Sequence, residues 1–133
     1  MLNEDIKNKL QNIKLERQYL DDIYNSYPVP SAKPKTILNI HIGPMASVPA
    51  VIQNRNEIDK IKGHSRKLIG IEMESYGVFY SAANSSNPKP IVISMKSASD
   101  FADEHKSDNY QEYSAYTSAQ FAYKLIMNDL IFE

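Results

Sequence analysis

Pro90 to Met95 constrains the fold of this chain more than any other stretch. It reads P-I-V-I-S-M, a nearly continuous apolar run with Lys89 before it and Lys96 after it. A strand with one wet face alternates apolar and polar residues, whereas a strand covered on both faces does not. The run therefore predicts a strand buried on both faces. Such strands belong to parallel sheets sandwiched by helices.

The neighbouring segments fit that expectation. Lys67 to Ile71 reads as a short strand. Glu72 or Met73 to Ala83 reads as a helix with Tyr76, Phe79, Tyr80 and Ala83 on one face. Asn84 to Pro88 reads as a turn. The last helix is expected from Asn109, with Glu112 three residues on in a capping-box arrangement and Tyr113, Tyr116, Leu125 and Ile126 on its apolar face. Upstream, Thr36 to Ile42 reads as a strand ended by Gly43-Pro44. Met45 to Ile52 is a second apolar stretch, and Asn54 to Lys62 is a short helix closed by Gly63. Asn3 to Tyr24 has apolar residues at Ile6, Leu10, Ile13, Leu20 and Ile23 and reads as one amphipathic helix, imperfect at Arg17. Ser26 to Pro34 holds three prolines and reads as a linker. The chain thus divides into residues 1–34, an amphipathic helix with a proline-rich linker, and residues 35–133, an α/β domain.

Composition narrows the function classes. The formal net charge is −1, so no overall basic field gathers nucleic acid or anionic lipid. There is no cysteine, which removes disulfides, thiolate metal sites and a cysteine nucleophile. No apolar stretch approaches the roughly 20 residues of a membrane span. The N-terminus is charged and unlike a signal peptide, and a cytoplasmic location follows as the expectation. Four widely spaced glycines do not make a phosphate loop or a dinucleotide fingerprint. His41, His64 and His105 lack metal-ligand spacing.

Two strand ends carry acids. Ile69-Gly70-Ile71 runs into Glu72-Met73-Glu74, and the Pro90–Met95 run leads to Lys96-Ser97-Ala98-Ser99-Asp100. Open α/β sheets bind ligands beyond the carboxyl ends of their strands. If the two strands are neighbours, Glu74 and Asp100 face one crevice. A carboxylate there can accept hydrogen bonds from sugar hydroxyls, and another can deliver a proton to a leaving group. The plainer reading is that Glu72 and Glu74 are helix-start acids favoured by the dipole, and that Asp100 and Asp103 are loop or cap residues.

With these residues in view, the chain from Ile40 to Ile126 resembles the purine nucleoside phosphorylase and methylthioadenosine nucleosidase superfamily. I-G-I-E-M-E-S-Y-G at Ile69–Gly77 looks like that family's E-M-E motif, and S-D-F-A-D at Ser99–Asp103 looks like its S-D-x-A-D motif. The resemblance implies that Glu74 binds the ribose hydroxyls and Met73 packs on the sugar, with Glu72 in the same substrate-binding set. It implies that Asp100 protonates or hydrogen-bonds N7 of the purine, with Ser99 beside it and Lys96 where the family often has Arg. Gly43 to Ile52 resembles the strand whose end contacts the base, so Val51 and Ile52 would line the purine pocket. Val48-Pro49 departs from the small or acidic residues common there. The downstream D-N-Y-Q-E-Y-S-A-Y-T-S-A segment resembles the version found in bacterial regulatory and effector proteins.

The implied fold is a partial three-layer αβα nucleoside phosphorylase/nucleosidase-like fold with a mixed sheet and its N-terminal strands missing. The implied activity is cleavage of the N-glycosidic bond of a purine nucleoside, with no cofactor and with phosphate or water as attacking group. The family's nucleophile site lies in the half that precedes this region. Two expectations follow: an enzyme complete only with a homo-oligomeric copy or a complementing N-terminal half, or a nucleoside-sensing or regulatory module without chemistry of its own. Neither involves nucleic acid or a membrane.

Overall fold

The computed structural model describes residues 3–48, 55–64, 67–99 and 110–128. The chain falls into two compact units that interleave in sequence. One comprises Met1–Ile40, Met95–Ser99 and Ser107–Glu133, and the other His41–Ser94 and Asp100–Lys106. The sequence reading placed its division at Pro34. In the structure, the N-terminal helices share a unit with the last helix.

The first unit is helical. α1 (Glu4–Glu16) starts at Asn3, whose side chain accepts from the amides of Asp5 and Ile6, satisfying two donors that a helix start leaves unpaired. α2 (Gln18–Asn25) follows at once. The single helix expected from Asn3 to Tyr24 is therefore two. The break is Arg17, whose backbone is left-handed at φ 58° and whose amide closes α1 on Ile13 O. Its guanidinium donates to Leu38 O at 2.9 Å and meets Asp21 at 3.2 Å. These contacts hold a conformation that costs a non-glycine residue about 1 kcal/mol. We expect Arg17→Gly to exceed Arg17→Ala in stability by about 1 kcal/mol in urea denaturation, because glycine relieves the strain and both lose the guanidinium. Equal values would mean that the left-handed turn is absent in solution.

The last helix along the chain, α5, spans Gln111–Asn128. It begins two residues after Asn109, the expected cap, which lies outside the described residues. It packs on α2, and α2 packs on α1. Ile6, Leu10, Ile13, Leu20 and Ile23 are buried as their helical spacing predicts, together with Tyr27, Tyr113 and Leu125. Tyr27 stands edge-on to Tyr113 and Tyr116 at 5.1 Å from each, a favoured aromatic geometry. The expected linker is pinned to α2. Tyr24 donates to Pro34 O at 2.9 Å, and Lys33 Nζ sits 4.1 Å over the Tyr24 ring.

The Tyr113 hydroxyl is buried without a hydrogen-bond partner. Burial raises the pKa of this phenol, with Tyr24 and Tyr27 adding to the effect. Tyr113→Phe is expected to leave stability unchanged or raise it by up to about 1 kcal/mol, since it deletes an unpaired buried donor. A loss well beyond that in thermal unfolding would reveal a buried water bound to the hydroxyl.

The second unit holds the sheet. β1 (Met45–Ser47) and β2 (Gly70–Glu72) pair in parallel, with Met45 opposite Gly70, Ala46 opposite Ile71 and Ser47 opposite Glu72. The ladder extends at its ends through Ile69 N to Pro44 O and Val48 N to Glu72 O. A Cβ on Gly43 would stand 2.7 Å from Ile69 Cγ2, so this approach needs glycine. α3 (Arg55–His64) lies between the strands in sequence and runs through Gly63, the expected stop. α4 (Ser75–Ala83) leaves β2. The order β-α-β-α gives an α/β class with a small parallel two-stranded sheet.

Two expected strands do not form. Thr36–Ile42 and Pro90–Met95 are irregular, and Ile37 and Ile91 are each 69% exposed. A doubly buried strand needs a ladder partner and a layer on each face. Among the described residues only β1 and β2 are paired, and Pro88 and Pro90 offer no amide to a ladder.

Candidate functional site at the carboxyl end of β2

β1 and β2 end side by side, at Ser47 and Glu72. There the chain turns into α4, and the turn is built around the Glu72 carboxylate. It accepts from Glu74 N at 2.9 Å and Ser75 N at 2.7 Å. The Ser47 and Ser75 hydroxyls also hydrogen-bond to it. Because the Ser75 proton goes to Glu72, the 2.9 Å contact between Ser75 and Ser94 is donated by Ser94. Tyr76 N donates to Ser47 Oγ at 3.2 Å. The amides of residues 74, 75 and 76, the start of α4, are thus satisfied within the protein.

Glu72 is buried, and burial alone would raise its pKa. The Ser47 hydroxyl, the Ser75 and Glu74 amides and the Ser75 hydroxyl outweigh that and hold it at about 2. It is an internal anion at a helix N-terminus, where the dipole favours negative charge.

Met73 and Glu74 occupy the turn so formed, and both are exposed. Glu74 is the N-cap residue of α4, yet its side chain makes no capping bond; that task falls to Glu72. Glu72, Met73 and Glu74 therefore come together at one strand end. Lys96 and Ser99 belong to the helical unit, where Lys96 is exposed and Ser99 half-buried. Their segment is tied to α5 by Ser97 Oγ to Thr117 Oγ1 at 2.7 Å and Ser114 Oγ to Ala98 O at 3.0 Å. Asp100, Val51 and Ile52 lie outside the described residues.

Ser47 and Ser75, as partners of Glu72, and Ser94, as a partner of Ser75, are not apparent from the sequence motifs. Ser75 directly follows the E-M-E triplet and could have been suspected. Ser47 meets Glu72 only through strand register. Among the described residues no cluster of acids and histidines could hold a metal ion, and no helix is long and apolar enough to cross a membrane.

The chain is 26% identical over 113 residues to a protein of Sinorhizobium fredii (strain NBRC 101917 / NGR234) named "Uncharacterized protein y4jS". The match covers 85% of this chain and 27% of that protein, so the chain spans about a quarter of its relative's length. No family model matches the chain, and no solved structure does.

Proposed function

We propose that this chain carries part of a nucleoside-binding domain of the phosphorylase/nucleosidase type, with a three-layer αβα plan, which cleaves the N-glycosidic bond of a purine nucleoside when complete. The observation that carries the reading is the position of Met73 and Glu74. They stand exposed on a braced turn at the carboxyl end of a parallel strand, where α/β folds collect ligands. Glu74 accepts hydrogen bonds from the ribose hydroxyls, and Met73 packs on the sugar. Glu72, committed to its amides and hydroxyls, acts as a positioning residue that fixes the turn, which favours the plainer capping reading for that one side chain.

Asp100 places a proton at N7 as negative charge builds on the departing purine, supported by Ser99 and Lys96, with Val51 and Ile52 against the base. Such a proton transfer contributes about two to four orders of magnitude in rate. Water or phosphate attacks the anomeric carbon, and no cofactor takes part. A cytoplasmic location accompanies this reading, as does a partner that is a second copy or a complementing N-terminal half. The alternative is a sensing module that binds nucleoside without chemistry.

Thermal melting with adenosine, methylthioadenosine, inosine and phosphate tests the proposal. A nucleoside at a hundred times its Kd should stabilise the fold by about 2.7 kcal/mol, and Glu74→Ala should abolish the shift. Asp100→Asn should suppress base release and spare the shift. A folded chain that no nucleoside shifts would sink the reading, and binding without base release would select the sensing module.

A further inference from the structure

The brace under Met73 and Glu74 extends beyond the turn itself. Glu72 takes its hydroxyl donors from two sides, Ser47 at the end of β1 and Ser75 at the start of α4. Ser75 in turn accepts from Ser94 at 2.9 Å. Ser94 lies in the irregular Pro90–Met95 run and in the same compact unit as the turn. Among the described residues, no backbone hydrogen bond joins Pro90–Ser94 to β2 or α4. A side-chain hydroxyl ties this run to the turn in place of a strand ladder.

The direction of the chain of hydroxyls matters. Ser94 donates to Ser75, and Ser75 donates to the Glu72 carboxylate. Each donor points toward the negative charge, and successive hydrogen bonds of this kind polarise and strengthen one another. Ser47, Ser75 and Ser94 are all half-buried, so water competes with these bonds less than it would at the surface. Glu74 is exposed, and its place is set through its backbone, whose amide is held on Glu72 at 2.9 Å. Anything that loosens Glu72 therefore moves Glu74. An acceptor that recognises a hydroxyl works only if it is held to within about 0.5 Å. A site that does so rejects the analogue lacking that hydroxyl, because its acceptor is then left unpaired.

We infer, on the reading of Glu74 as the acceptor of the ribose hydroxyls, that Ser94 is a positioning residue for sugar recognition. It steadies Ser75 and Glu72, and the turn then presents Glu74 to the sugar. A sugar without the 2′-hydroxyl draws less on Glu74 and so depends less on Ser94. A hydroxyl that served the fold alone would act on both sugars alike.

The test measures dissociation constants by calorimetry for adenosine, methylthioadenosine and inosine, each beside its 2′-deoxy counterpart. The wild-type chain should bind the ribose form about 10-fold tighter or more. Ser94→Ala should weaken binding of the ribose form by about 5- to 10-fold, the worth of one hydrogen bond, and leave the deoxy form within about two-fold. If the alanine variant does not fold, Ser94→Cys takes its place with the same expectation, since a thiol keeps the size and donates only weakly. An unchanged constant for the ribose form overturns the inference, as does an equal loss for both sugars, and either result leaves the reading of Glu74 standing. A folded wild type that binds no nucleoside, or binds both sugars equally, sinks that reading and the role of Ser94 with it.

Discussion

Glu72→Ala is expected to lower unfolding stability by about 2–3 kcal/mol, with Glu72→Gln losing roughly half as much. Hydrogen bonds to a charged group contribute about 1.5–3 kcal/mol each, and removing one partner strands the other. The alanine variant strands two amides and two hydroxyls at the start of α4. Glutamine keeps an acceptor oxygen but loses the charge that the helix dipole favours. The wild-type chain should also carry a pH signature. Glu72 titrates at about 2 when folded, against an ordinary value of 4.5. Between those values the unfolded chain binds the extra proton, so stability rises with pH. The contribution is full above about pH 4.5 and is lost as pH falls toward 2. Urea melts from pH 2 to 6 should show a slope in the wild type that Glu72→Gln flattens. Parallel slopes in the two proteins would mean that the carboxylate is not held by these donors.

Ile23→Ala and Leu125→Ala should each destabilise the helical unit by about 2–5 kcal/mol, the range for large apolar residues removed from packed cores. Both side chains are fully buried, as Leu20 nearly is, on α2 and α5, which pack on each other. Phe79→Ala is the contrast: it is 43% exposed, and its removal leaves little cavity. Guanidinium unfolding of the three variants should rank the two core substitutions far above the α4 one. A large loss from Phe79→Ala in the isolated chain would show that α4 is already covered.

The apolar spacing in α1, α2 and α5 identified a core that the structure contains, because a helix buries one face wherever its partner lies. The helix–strand–helix order that follows β1 in the second unit was also legible, whereas Met45–Ser47 read as an apolar stretch and as a strand only through the family resemblance. The strand expected at Pro90–Met95 was not correct. An apolar run states a need for burial, and ladder partners on both sides must be present to meet it. Arg17 read as a flaw in one helix, whereas its left-handed backbone, tied to Leu38 O, ends one helix and starts another.

By itself, the sequence determined which faces are apolar and that Glu72, Met73 and Glu74 lie where a strand gives way to a helix; it started that helix at Glu72 or Met73, whereas Glu72 ends β2 and α4 starts at Ser75. Those properties are local, set by side-chain chemistry and by spacing along the chain. Only the tertiary structure decided how the two acids differ. Parallel register brings Ser47, distant in sequence, against Glu72, and burial makes that carboxylate a structural anion while Glu74, two residues on, stays exposed. The Glu74 and Ser75 donors are local, but burial and the Ser47 hydroxyl come from segments far apart in the chain, and no local pattern encodes those.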